Sequence, residues 1–307
     1  MTRGILVLLC LLAGRVAAAP PLDIVVVTGE REVHQRILAA TRETLEAGEV
    51  RARLHEASLA TLDETLASLE RPALVVTLGT QAATGLEHDL RVPILHAAIA
   101  ESLYPRLLGS EQPGLHSAGH SALFLDQPVE RQIAAIELAL PRLQRLGVLA
   151  SEEHEALLGP IAEAAQEAGI VVVDALVPEE GLLIPRVERL LRHADALLIT
   201  PDPTIYNRYT LQKVLLAAYR QRKPVIGLSA AYVKAGALMA VHADPERIGA
   251  DIGHSLAEFA ERGELHPPSH ARLYEISINH HVARSLGLNL PPEEALLEAL
   301  RESEARR

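Results

Sequence analysis

Apolar runs and helical stripes alternate along this chain. Asp23-Ile-Val-Val-Val-Thr28 is a continuous apolar run rich in β-branched residues, the mark of a strand buried on both faces. Val33, Ile37, Ala40 and Thr44 then recur at the spacing of one helix face. Val50 to Leu54 reads as a weaker strand, Ala73 to Leu78 as a strong one closed by Gly79, and Val92 to His96 as another. The second half repeats the scheme, with strands at Leu146–Ala150, Ile170–Ala175, Ala196–Thr200 and Val225–Leu228. Helices are predicted between and beside them at about 127–140, 152–168, 182–193 and 210–222. Alternating strands and helices predict parallel sheets covered on both faces. The halves read as two copies of one α/β unit without a literal repeat.

Three segments link the halves. His120 to Leu125 is a strand-like run that ends the first unit. Ala237 to His242 is a second, leading into a helix that Asp244 caps, Pro245 opens and Gly263 ends, with Ile248, Ile252, Leu256 and Phe259 as its apolar stripe. Glu264 to His270, rich in Pro and His, is the third, and Leu273 to Ile278 is a final strand. The charged end, Glu293 to Arg307, reads as a solvated helix or a frayed tail. The expected architecture is α/β: two doubly wound parallel-sheet lobes joined by a three-segment hinge. The first lobe would combine 20–124 with 243–266, and the second 125–242 with 267–307.

The start of the chain adds a location. Arg3, a short apolar run from Ile5 to Ala13 and the small residues Val16-Ala17-Ala18 read as a signal peptide over residues 1–19. About nine apolar residues are too few to span a bilayer. Cys10 sits inside that run behind Leu8-Leu9, not at a lipid-attachment site. It is the only cysteine, so the processed protein has no disulfide. Losing Arg3 and Arg15 would leave a formal charge of −13. That balance speaks against nucleic acid and anionic lipid as partners. A soluble periplasmic monomer is expected.

In open parallel sheets, ligands bind beyond the carboxyl ends of the strands. The rule selects Gly79-Thr80-Gln81, where backbone N–H groups and the Thr80 hydroxyl can hold a carboxylate at a helix start, or where Thr80 merely caps that helix. Leu125-Asp126-Gln127 lines the cleft or caps the helix after Pro128. Asp202, fixed between two prolines, either pairs with a ligand amine or serves as a turn residue. Tyr206 covers a ligand or packs in the core, with Asn207 offering donor and acceptor beside it. Ser229 and Tyr232 follow the next strand, where small neighbours permit close approach. The His pairs 116/120 and 266/270 and the adjacent His280-His281 lie off helices or without acidic companions, so no metal and no cofactor is expected. No phosphate loop, zinc-protease motif or serine elbow is present, and no catalytic residue is assigned.

Three blocks carry a resemblance: Val225-Ile-Gly-Leu-Ser229, Tyr232-Val-Lys-Ala-Gly-Ala-Leu238 and Asp244-Pro-Glu-Arg-Ile-Gly249. With Ile276-Ser-Ile-Asn279, Val282-Ala283, Leu286-Gly-Leu288 and Leu290-Pro291, they resemble the ABC-transporter substrate-binding family that includes tryptophan- and tyrosine-type binding proteins. Ala73 to Thr80 and Leu143 to Ala150 match that family's third strand and the first strand of its second lobe. The resemblance implies a type I periplasmic-binding fold. It also implies capture of a small molecule, amino acid-like or another small organic solute, for an inner-membrane ABC permease. The same fold would equally serve a ligand-sensing subunit that reports to a membrane kinase or receptor. Ala122-Leu-Phe-Leu-Asp126 replaces the family's usual Thr-Gly-Val, and no Asp-Pro follows Ile94-Leu-His96. Pro201 to Asn207 marks a divergent subgroup, so the family's known ligands are not carried over.

Overall fold

The computed structural model describes residues 21–29, 32–70, 72–86, 90, 92–109 and 119–306. The signal-like segment 1–19 and His116 lie outside the described residues. In chain order the first half holds β1 (Leu22–Val27), α1 (Glu32–Ala47), β2 (Ala52–Ala57), α2 (Leu62–Ser68), β3 (Leu74–Leu78), α3 (Thr80–Thr84), β4 (Ile94–Ile99), α4 (Tyr104–Gly109) and β5 (His120–Phe124). The second half holds α5 (Val129–Ala139), β6 (Arg145–Ser151), α6 (Leu158–Glu167), β7 (Val171–Val177), α7 (Leu183–Leu190), β8 (Ala196–Leu198), α8 (Leu211–Arg220), β9 (Val225–Gly227), α9 (Ala230–Ala235) and β10 (Met239–His242). Then come α10 (Pro245–Arg262), β11 (Ser269–His270), β12 (Glu275–Ile278), α11 (His280–Leu286) and α12 (Glu293–Ala305).

Two six-stranded sheets form, ordered β2-β1-β3-β4-β5-β11 and β7-β6-β8-β9-β10-β12. The two orders are the same, so the halves are copies in topology except for the direction of the edge strand. Strand β3 is buried at every position and apolar but for Thr77, because helices cover both faces of the sheet.

Two details differ from the sequence expectation. β12 runs antiparallel to β10. Ser269–His270 pairs with β5 in the first sheet, so the third crossing falls after His270 rather than at 266/267. The pairing of β11 is anchored just before it, where the Ser121 hydroxyl donates to the His266 carbonyl at 2.5 Å. The charged end is a packed helix, with Leu296 and Leu300 fully buried in the second lobe's core.

Helix α10 crosses back to cover the first sheet beside α1. Asp244 caps it by accepting from the Arg247 N–H at 2.7 Å, Pro245 opens it, and Gly263 ends it in the left-handed region. Its glycines let it approach α1 closely. A Cβ at Gly249 would lie 2.3 Å from the Ile37 carbonyl oxygen, and one at Gly253 would lie 2.6 Å from Thr44 Cβ. The Thr41 hydroxyl bridges the helices, bonding both the Ile37 and Gly249 carbonyls.

Buried polar groups pin the crossings. Asp251 of α10, fully buried, accepts from the Arg272 and Leu273 N–H groups at 2.8 and 3.0 Å. Arg131 of α5 donates to the Ala271 carbonyl, Gln127 and Glu304, and its guanidinium lies 3.9 Å over the Tyr274 ring. The Tyr274 hydroxyl donates to Glu304 at 2.6 Å, and burial together with that bond pushes the phenol up to about 12.

Candidate functional site

The first sheet changes winding direction between β1 and β3, the place where doubly wound sheets bind ligands. A cavity of about 860 Å³ opens there. Its rim is made by Thr28 and Gly29 after β1, Ser58 after β2, and Gly79 and Thr80 after β3. Leu125, Ala243 and Pro245 close it on the side of the first and second crossings. Val33, Ile37, Leu59, Leu78, Ala82 and Ile248 give it an apolar wall.

His34 is held in place on this wall by two hydrogen bonds. Its Nδ1 shares a 2.8 Å hydrogen bond with the Thr28 hydroxyl and lies 3.1 Å from the Gly29 carbonyl. A proton on Nδ1 donated to that carbonyl leaves Nε2 as an acceptor. Nε2 lies beside Gly79, where an added Cβ would sit 3.3 Å away. Gly79 also holds φ +84°, which favours glycine, so sterics and backbone both select it. Ala98 lines the cavity with φ +56°, next to an irregularity in the β4–β5 register. A non-glycine residue held there stores strain, a feature that clusters at functional sites.

The predicted site residues divide sharply. Gly79, Thr80 and Gln81 line the cavity, the last two exposed. Gly79, not Thr80, is the cap of α3, which has only five residues. Asp126 does not open to the cavity; it accepts from the Glu101 N–H at 2.9 Å and caps the turn after β4. Burial raises its carboxyl above the ordinary value, against the lowering pull of that bond.

Asp202 is not presented to a ligand. Its side chain is 0% exposed and bonds the Ser151 N–H at 2.6 Å and the Thr204 N–H at 3.0 Å, with His154 Nδ1 3.3 Å away. It ties the end of β6 to the loop after β8. Tyr206 packs in the second lobe's core, and its hydroxyl has no hydrogen-bond partner among the described residues. Burial first, then the Asp202 carboxylate, drives that phenol far up. Asn207 closes a local turn, accepting from the Tyr209 N–H at 2.9 Å. Ser229 caps α9 by position without a side-chain cap bond, and Tyr232 is half buried over Gly227, burial raising its phenol. Thus Thr80 reaches the cavity, Asp202 and Tyr206 support the second lobe from within, and Ser229 and Tyr232 remain partly accessible at its strand ends.

Sequence reasoning passed over Thr28, His34 and Ser58. Thr28 and Ser58 each follow a strand's carboxyl end, a signal available in the sequence. His34 sits on the cavity side of a helix whose apolar stripe drew attention instead. His96 was placed at the end of its strand, but β4 continues to Ile99 and buries it. There it contacts the Thr77 hydroxyl at 2.9 Å and stacks on His120 at 5.6 Å. Burial, then the charge of His120, lowers its pKa to about 3.

Among the described residues, no group of three or more His, Cys, Asp or Glu is placed to hold a metal, and no helix is long and apolar enough to cross a membrane. None of the curated protein sequences compared with the chain matches it. Among solved structures, an ABC domain in complex with L-Trp from Streptococcus pneumonia is 20% identical, covers 90% of this chain and 98% of its own, and has a TM-score of 0.59. The ligand-free, open structure of a substrate-binding protein with adhesive properties from Clostridium difficile is 17% identical, covers 89% and 97%, and has a TM-score of 0.71. A periplasmic ribose ABC transporter protein from Conexibacter woesei is 12% identical, covers 89% and 96%, and has a TM-score of 0.54. At these identities the likeness speaks to the fold, which is the type I periplasmic-binding fold. The sequence profile described as ABC transporter substrate binding protein matches residues 49–302, and with the two like-wound lobes it makes this chain a member of that family.

Proposed function

We propose that the chain is the exported, periplasmic solute-binding component of an importer. It captures a small organic molecule at the cavity of the first lobe, closes the second lobe over it about the three crossings, and passes it to an inner-membrane permease. It acts as a monomer and performs no covalent chemistry. The observation that carries this reading is the cavity at the winding reversal of the first sheet, bordered by two of the crossings. Thr28, His34, Ser58, Thr80 and Gln81 supply hydroxyl, imidazole and amide groups to the polar part of the ligand, and the aliphatic wall takes its body. Gly79 keeps the backbone open beside them. Ser229 and Tyr232 are the second lobe's contribution on closure. The L-Trp bound by the streptococcal neighbour makes amino acids the first solutes to try.

A thermal-shift screen of the whole chain over amino acids, short peptides, purines and organic acids tests the reading. A ligand at 100 times its dissociation constant stabilises the protein by about 2.7 kcal/mol. Small-angle scattering with that ligand is expected to show a more compact particle. Thr80→Ala and His34→Ala are expected to weaken binding at least tenfold. Unchanged affinity in both variants would remove this cavity as the site.

A further inference from the structure

A second cavity, of about 540 Å³, lies at the far end of the second lobe. The turns that frame it precede β6, β8 and β9 or follow α11, so it sits at the amino ends of those strands, away from the ligand cleft at the carboxyl edges. Its wall is apolar through Leu140, Leu143, Pro224, Leu286 and Leu288, of which Leu140, Leu143 and Leu288 pack against the lobe's core. Its charge is one-sided: Arg142, Arg222 and Lys223 stand against the single acid Asp195. That acid is already engaged. It accepts from the Arg145 N–H at 2.9 Å and the Gln144 N–H at 3.3 Å, and Lys223 Nζ lies 3.9 Å from it. Arg142 and Arg222 form no ion pair among the described residues. The surrounding sequence sharpens the contrast. From Pro203 to Ala243 the chain has six basic residues and no acidic one, and this stretch contains all three lysines of a protein with net charge −11.

We propose that this cavity is a second binding site, for an amphiphilic anion: a carboxylate or phosphate carried on a small apolar body. The two free guanidiniums offer planar forks that match such a head group. The low-dielectric wall behind them strengthens the attraction and receives the apolar part. On a molecule of net charge −11, this local field favours anions at the cavity.

Calorimetry on the full chain tests the assignment, with octyl phosphate and octanoate as probes and inorganic phosphate and octanol as controls. Octyl phosphate is expected to bind with one-to-one stoichiometry, at least tenfold more tightly than either control. Arg142→Gln with Arg222→Gly is expected to weaken it a further tenfold or more while the melting temperature holds; glycine suits the φ of +56° at position 222. Arg142→Gln alone, at an exposed side chain, is the fallback if the pair disturbs folding, and is expected to cost at least threefold. Thr80→Ala is expected to leave this binding unchanged. Vesicles of phosphatidylcholine with and without phosphatidylglycerol separate the two sources. Binding of monomeric octyl phosphate assigns a free solute. Capture by the anionic vesicles alone, lost in the double variant, assigns a lipid head group. Absence of both kinds of binding, equal affinity for octanol, or full affinity in the arginine variants would overturn the proposal.

Discussion

His96 stays uncharged in the folded protein because its ring is enclosed between Thr77, His120 and the edge of Tyr104. The unfolded chain takes up a proton near pH 6.5, while the folded one resists until about 3. Stability from this site is therefore complete above about pH 6.5 and is lost as the pH falls toward 3. The loss at the acid limit is on the order of 5 kcal/mol. Urea midpoints measured between pH 7 and 5.5, above most carboxylate titration, are expected to fall in the wild type and to flatten in His96→Gln. An identical slope in the variant would dismiss the histidine as the cause. Asp202 supplies a second prediction at this scale. Because its carboxylate holds two backbone N–H groups, Asp202→Ala is expected to destabilise the fold by about 2–4 kcal/mol, read as a lower melting temperature before any ligand is added. Residue identity alone did not separate these roles. A proline-flanked Asp after a strand suits a ligand or a loop equally well, and only the position of the Ser151 N–H decides between them.

Most elements were legible because their patterns are strong. The continuous apolar strands and the capped α10 fall where the periodicity places them. The exceptions have physical causes. Strand direction leaves no mark on composition, so antiparallel β12 was invisible. A two-residue strand such as β11 is too short for any period, and α3 is barely more than a turn. Contact between α1 and α10 was also hidden, since the apolar stripe of each helix does not name its partner. The glycines of α10 make that contact testable. Gly249→Ala drives a methyl into the Ile37 backbone and is expected to cost about 1–3 kcal/mol. Gly181→Ala, where an added Cβ meets nothing within 4 Å, is expected to stay within about 0.5 kcal/mol of wild type. Chemical denaturation of the two variants side by side reads the difference. Equal midpoints would show that the helices can move apart at little cost.

At the scale of the molecule, the two sheets share one winding order, and the chain passes between them three times. Arg131 gathers the ends of this path, joining α5 to the third crossing at Ala271 and to α12 at Glu304. The same routing has a consequence for the order of events at synthesis. Thr41 and Gly249 meet across 208 positions, and β5, already paired with β4, gains its outer neighbour only at residues 269–270. The lobe that is translated first is therefore among the last to be finished, and its contacts are of the non-local kind that form slowly. Chains halted after His242 are expected to be cut rapidly by added protease throughout the first lobe, while completed chains resist; resistance in the halted chains would contradict this order. For a chain exported as proposed above, such a layout would leave it loose enough to thread a translocation channel for as long as its end is withheld.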